Sequence, residues 1–447
     1  MNTTMLRSLL GPVKPIARKS LEAVNIDPRV AKAVLVPPKH MHGGPPTRRM
    51  PWPRRRHFGR DERQAVLRLM DREIKHGGAI VYNGPEKLAY CSQFSDFMGG
   101  GYTEAVSSGT VSVYVALRAL DLEPGSEVIV PPITDAGGTM PVVMCGCVPV
   151  PADSLPGTFN TGVDQIRAVL SDRTRAIVIA HIAGHAVDMD PILELARERD
   201  IPILEDCAQA HGASYKGRKV GTFGSVAAFS TMFGKHHSTG AQGGTVYTRD
   251  TMIFARARQV TDRGKPYGAV MPDGNVVASL NFNQDEISLA IGRVQLGKLP
   301  GFLDRRRNFA QVVRVGLADC ESVEFVAAPA ETESAYWFLM LRVRPERLSC
   351  TVAEFAAALA LEGIGGVNAG YPFYPTDSPW HRDANVFGES GFPWSLHQEK
   401  PRHYQLPNAH AANARILRVE VHEDLGAKEA GQLVAAVKKL VRYFAKT

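Results

Sequence analysis

The sequence predicts an α/β fold: a mostly parallel central sheet with helices on both faces, followed by a smaller C-terminal α+β domain. Three observations carry this. The strand-like runs between residues 104 and 250 are apolar without polar alternation, as in strands buried on both faces. Helical runs separate the earlier of them, which is the rhythm of strands joined by crossovers. After about residue 284 the pattern turns helical and then mixed, so a second unit closes the chain. A chain of 447 residues with 44% hydrophobic side chains is long enough for two domains with sizeable cores.

The elements follow in order. Residues 1–57 form a basic, Pro-rich arm in which Arg48, Arg49, Arg54, Arg55 and Arg56 alternate with Pro37, Pro38, Pro45, Pro46, Pro51 and Pro53. Such a segment is expected to be extended and solvated, wrapping the body or a neighbour. The large domain is expected over 58–300. It opens with a helix in DERQAVLRLMDREIKHGG that stops at Gly77 and Gly78. Strands are expected at 127–131, 147–151, 175–181, 202–205, 226–230 and 244–248, with helices at 110–120, 163–170 and 191–199. The small domain is expected over 301–447, from the strand runs YWFLMLRV and RILRVEVHE and from helices at 351–363 and 427–443. Within it, 371–407 is rich in aromatics, Pro and His, the composition of a functional or interface loop.

Composition narrows the function. The six cysteines are scattered without a CxxC, which argues against a disulfide framework or a zinc site. No apolar run is long enough to span a bilayer, the first twenty residues lack a secretory pattern, and a cytoplasmic location away from membranes is the default. The net charge of +7 lies largely in the arm, and no nucleic-acid reader motif accompanies it, so nucleic acid is not an expected partner.

Chemistry-bearing residues gather at expected strand ends, where ligands of such sheets collect. Ser107-Ser108-Gly109-Thr110 opens a helix, so the N–H groups of Gly109, Thr110 and Val111 are placed to meet an anion. The same residues also make an ordinary N-cap. Asp206 ends the run ILED and has the alternative reading of a helix cap; Gln209 and His211 add hydrogen-bonding groups on the same turn. Lys235 lies in a Gly/Ser/Thr loop five residues after Ser230, whose hydroxyl suits a phosphate. Elsewhere such a lysine would be a surface group. Beside cations such as His236 and His237, or partly desolvated, its amine becomes a nucleophile towards an aldehyde. A metal site from His181, His185, His236 and His237 has no carboxylate or cysteine spacing behind it. A lysine for a Schiff base and an aspartate for a pyridine nitrogen are what pyridoxal phosphate chemistry requires.

Taken together, AVSSGT, EPGSEVIVPP, RAIVIAHIAGHAVDMDPI, ILEDCAQAHGASYKGRKVGTFG, FSTMFGKHHSTGAQGG, SLNFNQDEISLAIGRVQL and RILRVEVHEDL resemble the DegT/DnrJ/EryC1/StrS family of sugar aminotransferases, from about Phe58 to the C-terminus. The resemblance implies the fold type I of pyridoxal-phosphate-dependent transferases. It implies that Lys235 holds the cofactor and shuttles a proton, and that Asp206 pairs with the pyridine nitrogen. Gln209 would contact the ring or its phenolic oxygen, and Gly109, Thr110, Val111 and Ser230 the phosphate. His181 would lie near the cofactor, and Arg263 on a loop near the site. Asn281 would reach the phosphate of a neighbouring subunit, because family members form homodimers with shared active sites. The implied reaction takes an amino group from an amino acid, glutamate or glutamine, to a keto-sugar or keto-cyclitol in secondary-metabolite or cell-surface sugar biosynthesis. Two alternatives are a sugar dehydratase of the same family, against which Lys235 argues because those enzymes carry histidine there, and a non-catalytic regulator or assembly partner. The chain departs from the family in having Asp135 where an aromatic usually stacks on the ring, Gln242 in place of an acid, the basic arm, and the 371–407 segment.

Overall fold

The structure is a computed structural model describing residues 45–267 and 274–446. The first part of the arm, and the expectation that the N-terminus carries no leader, lie outside the described residues. The chain builds α1 (Arg60–His76), α2 (Pro85–Met98), β1 (Tyr102–Val106), α3 (Gly109–Ala119), β2 (Glu127–Val130), β3 (Val148–Pro151), β4 (Thr174–Ala180), α4 (Asp190–Glu198), β5 (Ile203–Asp206), β6 (Val226–Ser230), β7 (Gly244–Thr248) and α5 (Thr251–Thr261). The seven strands form one sheet in the order β1-β7-β6-β5-β4-β2-β3. β2 to β6 are mutually parallel, and β7 runs antiparallel to both β6 and β1.

The missing polar alternation has a direct cause. Ile129, Ile177, Ile179, Ile203, Ala227 and Phe229 enter the core on one face of the sheet, with α2 and α4. Val128, Val130, Ala176, Val178, Leu204, Val226 and Ala228 enter the core on the other, with α3 and α5. Both faces being covered, every position of β2, β5 and β6 is buried.

A 31-residue helix, α6 (Glu286–Gly316), leaves this domain. The expected division at residue 300 falls inside it. Leu289, Leu296, Leu299 and Leu303 belong to the first core, whereas Phe309, Ala310 and Val313 belong to a second. That second core is built by β8 (Val323–Phe325), β9 (Phe338–Val343), α7 (Val352–Leu361), β10 (Val367–Ala369), β11 (Ile416–Glu420) and α8 (Ala427–Phe444), whose strands form an antiparallel sheet in the order β8-β9-β11-β10.

Two further segments lie on the surface of these cores. Residues 45–59 wrap the body, as expected of such an arm, and although most of them are exposed they are pinned to it at particular side chains. Thr47 donates its N–H and hydroxyl to Glu362 at 2.8 and 2.7 Å, and Arg48 donates to Gln432 at 2.6 Å. The 371–407 segment packs on the large domain: Trp394, fully buried, lies against Val143, Val148 and Val150. Arg173 to Glu399 (2.9 Å) and His397 to the Gly125 carbonyl (2.9 Å) tie it there. It thereby covers the face of β3 that carries Val148 and Val150. Among the described residues no helix is long and apolar enough to cross a membrane.

Candidate active site

At the carboxyl ends of β5 and β6 lies a cavity of about 310 Å3. Its back wall is the start of α3. Ser108 Oγ caps that helix by accepting the Val111 N–H at 3.2 Å, so the earlier N–H groups of Gly109 and Thr110, which no helical carbonyl can reach, face the cavity. Glycine is required here by contact. A Cβ on Gly109 would lie 2.5 Å from Ser230 Cβ, and one on Gly137 would lie 2.4 Å from Thr110 Oγ1. The result is a small cradle of N–H and hydroxyl donors with the chemistry of an oxyanion or phosphate site.

Opposite the cradle stand the two ionisable groups. Asp206 ends β5 and is buried; the Ala208 N–H reaches its Oδ1 at 3.0 Å. Burial pushes its pKa up, against the pull of the Ala208 N–H and of Lys235. Lys235 is only 6% exposed, and burial lowers its pKa to about 8, with Asp206 and then Asp135 pulling the other way. The neighbouring histidines are not the cause, as the sequence had allowed. Lys235 Nζ rests 4.0 Å from the centre of the Trp337 ring, and the Trp337 indole N–H donates to the Gly234 carbonyl at 3.3 Å.

His181 presents its ring to the cavity with both nitrogens engaged. Nδ1 accepts the Val187 N–H at 3.1 Å, which fixes Nε2 as the protonated nitrogen, donating to Glu205 at 3.1 Å. The imidazole is therefore neutral. Glu205 also accepts the N–H groups of Gly221, Phe223 and Gly224, each at 2.7 Å. In the buried trio His181, Glu205 and Cys207, the imidazole and the carboxylate are therefore already engaged in hydrogen bonds. Gln209 is held in the same way: its carbonyl accepts the Ala183 N–H at 3.0 Å and its amide donates to Tyr371 Oη at 3.0 Å. Asp135 stands exposed in the cavity wall, one carboxylate oxygen capping Gly137 at 2.9 Å.

The fold thus brings Gly109, Thr110, Asp135, His181, Asp206, Gln209, Ser230 and Lys235 to one cavity, with Gln242 beside them. It does not bring Val111, whose N–H is taken by the cap. Asn281 is exposed outside this chain's cavity, its side-chain oxygen accepting from Asn283. Arg263 bonds to Asp262 and Tyr82, away from the cavity. His211 is turned into the protein, donating to the Ser230 carbonyl at 2.8 Å, so it presents nothing to a ligand. His236 and His237 are likewise buried against Ala335 and Tyr90. Trp337, Met232 and Thr134 line the cavity without having been picked out from sequence. Trp337 sits in a continuous apolar run that reads as core, and no local signal separates it from its neighbours.

The parts fit one kind of occupant: a flat group with a phosphate for the cradle, a basic ring nitrogen for Asp206, and an aldehyde for the Lys235 amine. Fold and site define a transferase of the pyridoxal-phosphate-dependent fold type I, an aminotransferase. The chain belongs to the DegT/DnrJ/EryC1/StrS aminotransferase family, whose model matches residues 61–438. It is 31% identical over 351 residues to L-glutamine:2-deoxy-scyllo-inosose aminotransferase of Micromonospora echinospora, covering 74% of this chain and 81% of that relative. It is 30% identical over 358 residues to dTDP-3-amino-3,4,6-trideoxy-alpha-D-glucose transaminase of Streptomyces venezuelae, covering 80% of this chain and 87% of the relative. Among solved structures, an aminotransferase from Psychrobacter cryohalolentis superposes with a TM-score of 0.76 at 28% identity, over 87% of this chain and 98% of its own.

Proposed function

We propose that this aminotransferase moves an amino group from an amino acid, glutamine or glutamate, to the ketone of a cyclitol or sugar in the cytoplasm. The observation that carries the reading is the opening of Lys235 and Asp206, both buried, into one cavity beside a glycine-lined anion cradle. The names of the relatives support the two substrate classes.

Pyridoxal phosphate, when bound, supplies the aldehyde that accepts the amino group and the ring that takes up electron density. The chain's own groups do the rest. The N–H groups of Gly109 and Thr110 and the hydroxyl of Ser230 hold the phosphate. Asp206 holds a proton at the ring nitrogen by staying ionised against it. The neutral imidazole of His181 gives the ring a flat polar wall without adding charge. Lys235 Nζ would anchor the cofactor and, once freed, would carry a proton from the donor carbon to the cofactor carbon in the first half of the reaction and from the cofactor carbon to the acceptor carbon in the second. An amine near 8 is well placed to do both at neutral pH. The donor leaves as a 2-oxo acid and the acceptor ketone leaves as an amine, so no outside oxidant is needed. Asn281, exposed and away from its own cavity, is assigned to the phosphate of a partner subunit in a homodimer. Asp135, lacking an aromatic's stacking surface, is assigned to a hydroxyl or amine of the acceptor.

The test is chemical. Purified protein should be yellow, and borohydride should fix the cofactor on the peptide containing Lys235. Lys235→Ala should abolish turnover; a colourless protein that takes up no cofactor would end this reading. Loading the protein with an amino donor and then screening keto-cyclitols and keto-sugars for return of the cofactor absorbance separates the acceptor classes.

A further inference from the structure

We propose that the segment 53–59 is a working part of the active site, with Arg55 the residue that positions Lys235. The proposal rests on the assignment of Lys235 as the reacting amine. Arg55 spends its whole fork on this task. Its Nη1 donates to the Lys235 carbonyl at 2.7 Å, its Nη2 to the His236 carbonyl at 3.0 Å, and its Nε to Glu423 Oε1 at 2.8 Å. Glu423 is shared: its other oxygen accepts from Arg306 at 3.1 Å. Arg306 in turn donates to the carbonyls of Val421 at 2.6 Å and Tyr336 at 3.2 Å. The residue after Tyr336 is Trp337, whose ring lies against the Lys235 amine.

The chain of contacts therefore closes a loop. Arg55 fixes the backbone on which Lys235 stands, and Arg306 fixes the backbone of the ring that Lys235 Nζ touches. One carboxylate, 3% exposed, joins the two guanidinium groups. Flanking contacts hold the segment in register: His57 Nε2 meets Ser238 Oγ at 2.7 Å, and the Arg56 N–H donates to Asp424 at 2.6 Å. Only a planar fork can satisfy two successive carbonyls and a carboxylate at once, so lysine is no substitute.

The consequence is measurable on Lys235 itself. Its amine faces Asp206, Asp135, the neutral His181 and the Trp337 ring, with His211 and His236 behind it, and its burial is what depresses its basicity. Freeing the backbone at Lys235 lets the amine hydrate and regain basicity. The experiment is competitive amine labelling of the full-length, cofactor-free protein across pH 6–11, read on the Lys235 peptide by mass spectrometry. The native midpoint should lie near 8. In Arg55→Ala and Arg55→Gln it should rise by about one pH unit or more, with kcat down by roughly tenfold to a hundredfold in the reconstituted enzyme. Arg48→Ala, which loosens the chain just before this segment at Gln432 and Glu429, should leave the midpoint in place. If Arg55→Ala does not fold, Arg55→Gln decides alone. An unchanged midpoint in the folded Arg55 variants, or an equal shift in Arg48→Ala, overturns the proposal. Borohydride fixation separately decides whether Lys235 carries the cofactor, so the two failures are distinguishable.

Discussion

A lysine whose pKa is brought down to about 8 by burial leaves a thermodynamic trace when no cofactor is bound. In the unfolded chain the amine titrates near 10.4, so between roughly pH 8 and 10 the unfolded state binds more protons than the folded one. The contribution of Lys235 to the stability of the cofactor-free protein should therefore rise with pH across that window, by about 3 kcal/mol in all. Denaturant unfolding at pH 7, 8, 9 and 10 should show that contribution as the difference between the native protein and Lys235→Met, the variant being the more stable at pH 7 by a margin that shrinks as pH rises. The thiols of Cys91, Cys145, Cys147, Cys207 and Cys350, whose pKa values burial pushes up, act in the opposite sense from about pH 8.5, and buried Tyr90 and Tyr371 join them above about pH 10. Asp206 makes a second case at this scale. Asp206→Asn keeps the side chain's shape and its acceptor for the Ala208 N–H, but no longer carries the charge that holds a proton on a ring nitrogen. Turnover should fall by about a hundredfold or more, and the cofactor should bind more weakly, measured by absorbance titration and single-turnover kinetics with amino donor.

The elements show which signals travel along a sequence and which do not. The parallel strands were legible because burial on two faces erases alternation, leaving runs such as AIVIA and ILED that only an interior strand explains. The strand-end positions of Asp206 and Ser230 followed from those runs. α2 was not legible, since its N-terminus is capped from 202 residues away: Glu286 accepts the N–H groups of Gly84, Glu86 and Lys87. The domain division was placed at residue 300, yet α6 runs through Pro300 and joins two cores. The 371–407 segment was read as part of the small domain by its position in the chain, and no local feature announces that Trp394 is seated on β3. That seating is open to test. Trp394→Ala should cost about 3 kcal/mol or more, as for a large buried aromatic. Limited proteolysis should then cut within 371–407 in the variant and not in the native protein; equal resistance would show that the remaining contacts, among them those of Arg173, His397 and Tyr371, hold the segment without the indole.

At the scale of the molecule, the cavity is assembled from parts distant in sequence: the cradle and Asp206 from the large domain, Trp337 from the small one, and the backing of Lys235 from residue 55. A single chain still leaves the proposed phosphate cradle with neutral donors only, and Asn281 stands exposed on the outside with its side chain aimed at no group of its own cavity. If partner subunits exchange Asn281, function belongs to the pair, and two defective chains can make one sound site. Take Lys235→Ala and Asn281→Ala, each inactive or weakened alone, and let them exchange subunits. In a mixed dimer, one site receives both defects. The other site has an intact Lys235 from one chain and an intact Asn281 from its partner. Random pairing makes half the dimers mixed and half of their sites sound, so activity should recover to about a quarter of the native value per chain. The check is the rate of amino transfer after mixing, against the summed rates of the separate variants, with exchange followed by native mass spectrometry. Recovery to that level supports a shared site; full exchange with no activity above the sum places Asn281 outside the site and returns each active site to a single chain.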